Sequence, residues 1–289
     1  MVLRKSCKTF HELTDKKYHF IKQIYFRPSP DVVELRISTE NHDQLEIIYI
    51  KDSSDCEVQF EMTDRMGLTI NPRRTKIIKD ADYLTTALSD FATFVNNPQC
   101  FVEHLSLSNW HDETCVVPFM QTMTSMKTKL SVQKLILASK VPENFVLEVL
   151  PFFKPGTLNE IIVDTGDLEY GERLMEVEQW RLAKKADVYG NVPISQFLHF
   201  NNAGTRVKSF SLEDIKLMTE TAIQRIEDFK IFTVNSYEFA DISPYLQETF
   251  PITAKKEETR YKTVFEPNVY LKVFFNNWCL RIQKTSDVE

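Results

Sequence analysis

One spacing, apolar-x-x-apolar-x-apolar, recurs six times between residues 102 and 231 and constrains this chain more than any other feature. The copies are Val102/Leu105/Leu107, Val132/Leu135/Leu137, Leu158/Ile161/Val163, Ala183/Ala186/Val188, Val207/Phe210/Leu212 and Ile226/Phe229/Ile231. Their starts lie 30, 26, 25, 24 and 19 residues apart. A near-constant period of this length belongs to stacked β-α units, each too small to bury its apolar face alone. Segments of helical period lie between the copies, among them Val116/Phe119/Met120/Met123 and Phe145/Val146/Val149/Leu150. The expected fold is α/β: an irregular leucine-rich-repeat-like β-α solenoid, with parallel strands on one face and helices on the other. It is irregular because leucine-rich repeats place Asn or Cys three residues past the last apolar position. Here Trp110, Lys140, Gly166, Asn191, Ile215 and Val234 stand there, and only Asn191 matches.

The flanks follow other periods. In residues 1–17, Leu3, Cys7 and Phe10 fall at helical spacing with Leu13 a turn further on, predicting a short amphipathic helix. From Tyr18 to Met62, short β-branched and aromatic runs alternate with polar turns, which predicts an antiparallel β meander. The basic stretch Thr63–Lys79, with Arg65, Arg73, Arg74, Lys76 and Lys79, reads as a solvated loop broken at Asn71-Pro72. Residues Asp82–Asn96 read as a helix. Past Val234 the pattern suggests a short helix broken by Pro244 and an exposed connection over LQETFPITAKKEETRYK. A capping β-hairpin around Asn276-Asn277 then ends the chain. The domain organisation expected is 1–17, 18–79, 80–235 and 236–289.

Few function classes find support. Formal net charge is −6, with 35 basic and 41 acidic residues well mixed, so no global field steers the chain to nucleic acid or anionic membrane. The basic stretch lacks the interleaved aromatic residues that single-strand binding favours. Six glycines form no phosphate-cradling loop, and neither G-x-S-x-G nor H-E-x-x-H occurs. Cys100, His104, His111 and Cys115 are zinc-ligand types, but strand alternation turns His104 outward, away from the other three. His199 has no nucleophile or carboxylate partner to nominate. The expectation is no enzyme, no cofactor and no metal. With five scattered cysteines, no signal peptide and no membrane-length apolar run, the expected setting is cytoplasmic or nuclear.

The leading reading is a protein-binding surface on the strand face, formed by the middle positions of each copy: His104 and Ser106, Lys134 and Ile136, Glu160 and Ile162, Lys185 and Asp187, Ser209 and Ser211, Asp228 and Lys230. Ile136 and Ile162 form the apolar centre if the face is open. If a helix, the meander or the hairpin covers it, they are core.

Several stretches carry a resemblance. LRKSCKTFHELTDK looks like the last helix of an F-box, and LEIIYIKDSSDCEV like the connecting region that follows it. LTTALSDFATFVNNPQCFVEHLSL, LEVLPFFKPGTLNEIIV, EVEQWRLAKKADVYG, ISQFLHFNNAGTRVKSFSLEDIKLM and IEDFKIFTV continue it, with Trp180-x-x-Ala183, Phe197-x-x-Phe200 and Ser211-Leu212-Glu213-Asp214 as the specific parts. Together they make the chain similar to the nematode F-box proteins that carry the FTH domain, an F-box-associated domain. The resemblance implies a substrate-recognition subunit of a Skp1-cullin-F-box ubiquitin ligase, in which other subunits transfer ubiquitin. The Leu-Pro opening and first helices of an F-box are missing, so Leu3, Cys7, Phe10 and Leu13 stand as a truncated Skp1-contact remnant. The alternative is a ligase-independent protein-binding solenoid without a working F-box.

Overall fold

The computed structural model describes residues 20–40, 43–64, 66–110, 113–138, 144–169, 173–225, 227–239, 252–255, 258–266, 269–276 and 279–285. The chain separates into two compact units, 1–165 with 177–182, and 166–176 with 183–289. The architecture is mixed α/β and carries the expected antiparallel meander near its N-terminus. The expected N-terminal helix and the Pro244 segment lie outside the described residues.

In the first unit β1 (Phe20–Pro28), β2 (Val32–Thr39), β3 (Gln44–Asp52), β4 (Asp55–Thr63) and β5 (Thr69–Ile78) form the meander, each strand antiparallel to the next. Strict alternation drives it: Val33, Leu35, Ile37, Leu45, Ile47, Tyr49, Cys56, Val58 and Phe60 all point to one buried face. Helix α1 (Tyr83–Val95) covers that face, packing on β2, β3 and β4 with Leu84, Leu88 and Phe91 buried. Its first turn is capped by the Asp82 carboxylate, which accepts from the Thr85 amide at 2.7 Å.

The sheet does not stop at the meander. β1 also pairs in parallel with β6 (Phe101–Ser108), placing Ile21 beside Val102, Ile24 beside Leu105 and Phe26 beside Leu107. Ile21-x-x-Ile24-x-Phe26 is therefore a further copy of the repeat spacing, and the parallel array opens at β1 rather than at Val102. The other four meander strands and α1 are an excursion between two adjacent parallel strands. β7 (Ser131–Ala138) and β8 (Glu160–Glu169) continue in register, with Leu105, Leu135 and Ile161 in one row and Leu107, Leu137 and Val163 in the next.

Helix α2 (Glu113–Ser125) crosses back over the buried face after β6. The connection after β7 is short, α3 (Phe145–Val149) and a 3-10 turn, because Pro151 follows at once. An aromatic cluster locks these pieces together. The Trp110 ring lies 5.7 Å from Phe26, 4.4 Å from Phe119 and 5.4 Å from Phe145, all fully buried. Trp110 occupies the position where a leucine-rich repeat has Asn. The bridging bonds come one residue earlier, from Asn109. Its side chain donates to the Pro28 carbonyl at 2.9 Å and its amide to the Ala138 carbonyl at 3.0 Å. Helix α4 (Glu178–Leu182) also belongs to this unit, and its Gln179 side chain donates to the Phe153 carbonyl at 2.8 Å.

The second unit repeats the theme with β9 (Lys185–Asn191), β10 (Asn202–Phe210) and β11 (Ile231–Phe239) in parallel, and α5 (Leu212–Gln224) between the last two. β12 (Ile252–Lys255), β13 (Glu258–Glu266), β14 (Val269–Asn276) and β15 (Cys279–Thr285) then form an antiparallel run, and β15 pairs with β11. The expected hairpin at Asn276-Asn277 is β14–β15, with Asn276 opposite Cys279. Two stretches expected to be loops are strands instead. β12 and β13 occupy the supposed exposed connection, and β5 occupies the basic stretch, where Pro72 is tolerated because the strand lies at a sheet edge.

Candidate functional site

The strand spacing sends one set of side chains under the helices and leaves the alternate set on the opposite, outward face. In the first unit the outward positions align across β1, β6, β7 and β8 by register. Tyr25, Ser106, Ile136 and Ile162 form one row, and Gln23, His104, Lys134 and Glu160 the next. Ile136 and Ile162 are direct neighbours, and both are only partly buried. Lys134 bonds Glu160 at 2.5 Å, with each side chain about a quarter exposed. Ser106 is buried between its neighbours, and Ser108 donates to the Tyr25 hydroxyl at 3.2 Å.

The first row continues into the meander through Arg36 and Glu46, opposite each other on β2 and β3. Arg36 donates to the Glu46 carboxylate at 2.7 Å and lies 5.6 Å from the Tyr25 ring centre. The meander thus extends the strand face sideways and does not cover it. Fixed backbone, a part-exposed apolar pair and flanking paired charges suit contact with another protein surface.

The second unit presents its own outward rows. Asp187, Gly204 and Thr233 form one; Tyr189, Arg206 and Asn235 form another. Arg206 lies over the Tyr189 ring at 4.8 Å. Asp187 spreads over Gly204, where a Cβ would stand 2.8 Å from its carboxylate oxygen.

Three predicted contacts in this unit need correction. Ser211 is the N-cap of α5, its hydroxyl accepting from the Asp214 amide at 3.2 Å, so it is a helix-start residue and not a strand position. Asp228 and Lys230 are exposed and precede β11, so they too are not strand positions, whereas Ser209 lies near the end of β10, opposite Glu238. The buried positions of β10 are Ala203, Thr205, Val207 and Phe210, and those of β11 begin at Phe232 and Val234. A polar residue at a buried position, Thr205 at 4 % exposure, broke the apolar pattern and moved the reading frame. Lys185 and Asp187 stay on β9, whereas Leu3, Cys7, Phe10 and Leu13 fall outside the described residues.

The zinc-type residues occupy separate environments. His104 faces outward, 3.5 Å from the Glu103 carboxylate, while Cys115 is buried in α2 on the other side of the sheet. Burial pushes the Cys100 thiol up to about 11. His111 is outside the described residues. His199 packs its ring 3.9 Å from Phe200. A shallow groove of about 490 Å³ lies along α2, lined by Val116, Val117, Met120, Gln121, Thr124, Ser125 and Glu148. Among the described residues, no helix is long and apolar enough to cross a membrane.

A family model for the FTH domain matches residues 113–267, more than half of the chain. The chain belongs to the FTH domain family. No curated protein and no solved structure matches it. The FTH match opens at α2 and ends just past β13, so it includes Ile136 and Ile162 but leaves out β1 and β6. The outward row is therefore shared between FTH residues and strands outside the match.

Sequence reasoning missed Tyr25, Arg36, Tyr189 and Arg206. For Tyr25 a signal was present, since it is the middle position of Ile21-x-x-Ile24-x-Phe26. Its separation from the next copy by 81 residues hid it.

Proposed function

We propose that this FTH protein is a non-catalytic protein-recognition module whose outward face, centred on Ile136 and Ile162, captures a target protein. The observation that carries the reading is the direct pairing of these two isoleucines on adjacent strands, part-exposed on the face opposite the helices. Tyr25 and Arg36 continue that row with the residue types enriched at protein contacts. The stacked parallel strands act as a leucine-rich-repeat-like solenoid that holds these side chains in register. FTH membership is the basis for placing the module beside an F-box, as the substrate-recognition subunit of a Skp1-cullin-F-box ligase in the cytoplasm or nucleus. Ubiquitin transfer then belongs to other subunits.

The test pairs folding with capture. Ile136→Asp and Ile162→Asp are expected to keep a cooperative thermal transition at a cost of about 1 to 3 kcal/mol, the ordinary range for a point substitution, while target ubiquitination and target co-purification fall together. Collapse of the thermal transition would place the pair in a core and end the proposal. Co-purification of Skp1 with the full-length protein separates the ligase reading from its alternative, a ligase-independent protein-binding solenoid. Target capture that persists without Skp1 selects the second.

A further inference from the structure

The strand β5 holds a second surface that the proposed face does not use. Four of the seven most exposed large apolar side chains among the described residues lie on it or on the turn before it: Met66 at 74 %, Leu68 at 67 %, Ile70 at 48 % and Ile77 at 50 %. The turn is held rigidly. The Asp64 carboxylate accepts from the Met66 amide at 2.8 Å and the Leu68 amide at 2.9 Å, and Gly67 supplies a φ of 76°. These apolar groups are presented to solvent by a built loop.

Among the described residues β5 is an edge strand, so alternate residues leave backbone N–H and C=O groups directed away from β4. Two register shifts and Pro72, which has no N–H, make its first half irregular. From Arg74 to Ile78 the register is continuous, Arg74 opposite Phe60 through Ile78 opposite Cys56. The strand ends where Lys79 and the Asp80 amide both bond Asp55, at 2.5 and 3.1 Å. Five residues of regular edge remain.

Their two faces differ. Arg74, Lys76 and Ile78 stand on the side of Phe60, Val58 and Cys56; Thr75 and Ile77 stand on the side of Gln59 and Glu57. We infer that the Arg74–Ile78 edge accepts an extended acidic segment of a partner protein as an added β-strand, with acidic side chains toward Arg74 and Lys76 and β-branched apolar side chains toward Thr75 and Ile77. A second copy of this chain fits poorly, because β5 carries no acidic residue to meet Arg74 and Lys76, and antiparallel pairing over this edge sets Lys76 against its own copy or against Arg74. Single-stranded nucleic acid is disfavoured because the exposed apolar side chains are aliphatic and give bases no ring to stack on.

Fluorescence anisotropy of the full chain with a short labelled peptide alternating glutamate and valine tests this. Saturable binding is expected, reduced about tenfold or more, roughly 1.4 kcal/mol, by Arg74→Glu with Lys76→Glu in a protein whose thermal transition is unchanged. Two N-methylated versions of the peptide, blocking alternate sets of amides, provide a readout independent of protein folding. One pattern abolishes binding and the other preserves it, because an added strand uses every second amide. Equal binding of both patterns reduces the effect to charge adsorption and overturns the inference, as do absence of binding and tighter binding of oligothymidylate. Binding of the peptide by the Ile136→Asp/Ile162→Asp protein is expected to be normal, so failure at either surface leaves the other reading standing.

Discussion

Tyr49 and Asp90 show how individual residues join the meander to its helix. Tyr49 comes from β3 and Asp90 from α1, both are fully buried, and the phenol donates to the carboxylate at 3.0 Å. Burial, and then the neighbouring Asp90 charge, hold the Tyr49 proton well above the usual phenol range. Tyr49→Phe is expected to lose about 1 to 3 kcal/mol, because it removes a donor from a buried carboxylate. Asp90→Asn should lose less, since the amide oxygen can still accept. Urea denaturation of both variants checks the order. The sign with pH follows from the raised value: the contribution is whole below about pH 10, where phenols ordinarily ionise, and is lost as pH rises through the folded value, because the unfolded chain releases the proton first. An ultraviolet titration in which one tyrosine ionises only on unfolding would confirm it. Its partner lies 41 residues away, and no local pattern pairs them.

At the level of elements, the end of β5 is tied to the start of β4 by Asp55. The Lys79 ammonium and then the Asp80 amide hold the Asp55 carboxyl below its usual range, and Asp55 holds Lys79 above its own. The contribution of this tie is present above about pH 4, the ordinary carboxylate value, and disappears as pH falls through the lowered folded value. On the alkaline side it is lost as pH rises through the raised lysine value. Urea midpoints measured down the acid limb should converge for the wild type and Asp55→Asn, the difference being largest near neutrality. A constant difference at all pH would show that the tie has no electrostatic part. The same element shows why a sequence reading fails at sheet edges. Exposed on both sides, β5 lacks apolar alternation, and Asn71-Pro72 with its basic residues mimics a loop. In β10 the opposite problem arises: Thr205 is buried, so its strand loses the apolar mark and the frame runs on to Ser211, past the strand end.

For the whole molecule, the boundary of the FTH match does not coincide with a boundary of packing. A fragment of residues 113–267 lacks β1 and β6, separating Phe119 and Phe145 from Phe26 and Trp110, and it lacks the β15 strand that pairs with β11. It is expected to show no cooperative thermal transition where the full chain does; a sharp, reversible transition in the fragment would show that the FTH region is self-sufficient. The chain's apolar period was enough to establish the α/β class, the first four inward triplets, the meander and the terminal hairpin, because each depends on side chains a few residues apart. Ile136 and Ile162 were legible as an outward pair for the same reason. Which strands become neighbours was not, because pairing joins residues far apart in the chain and spacing carries no record of partners. Only the folded molecule placed Ile21-x-x-Ile24-x-Phe26 beside Val102, made β1 common to the meander and the parallel array, set Tyr25 and Arg36 in the row with the two isoleucines, and left Arg74–Ile78 at an open edge.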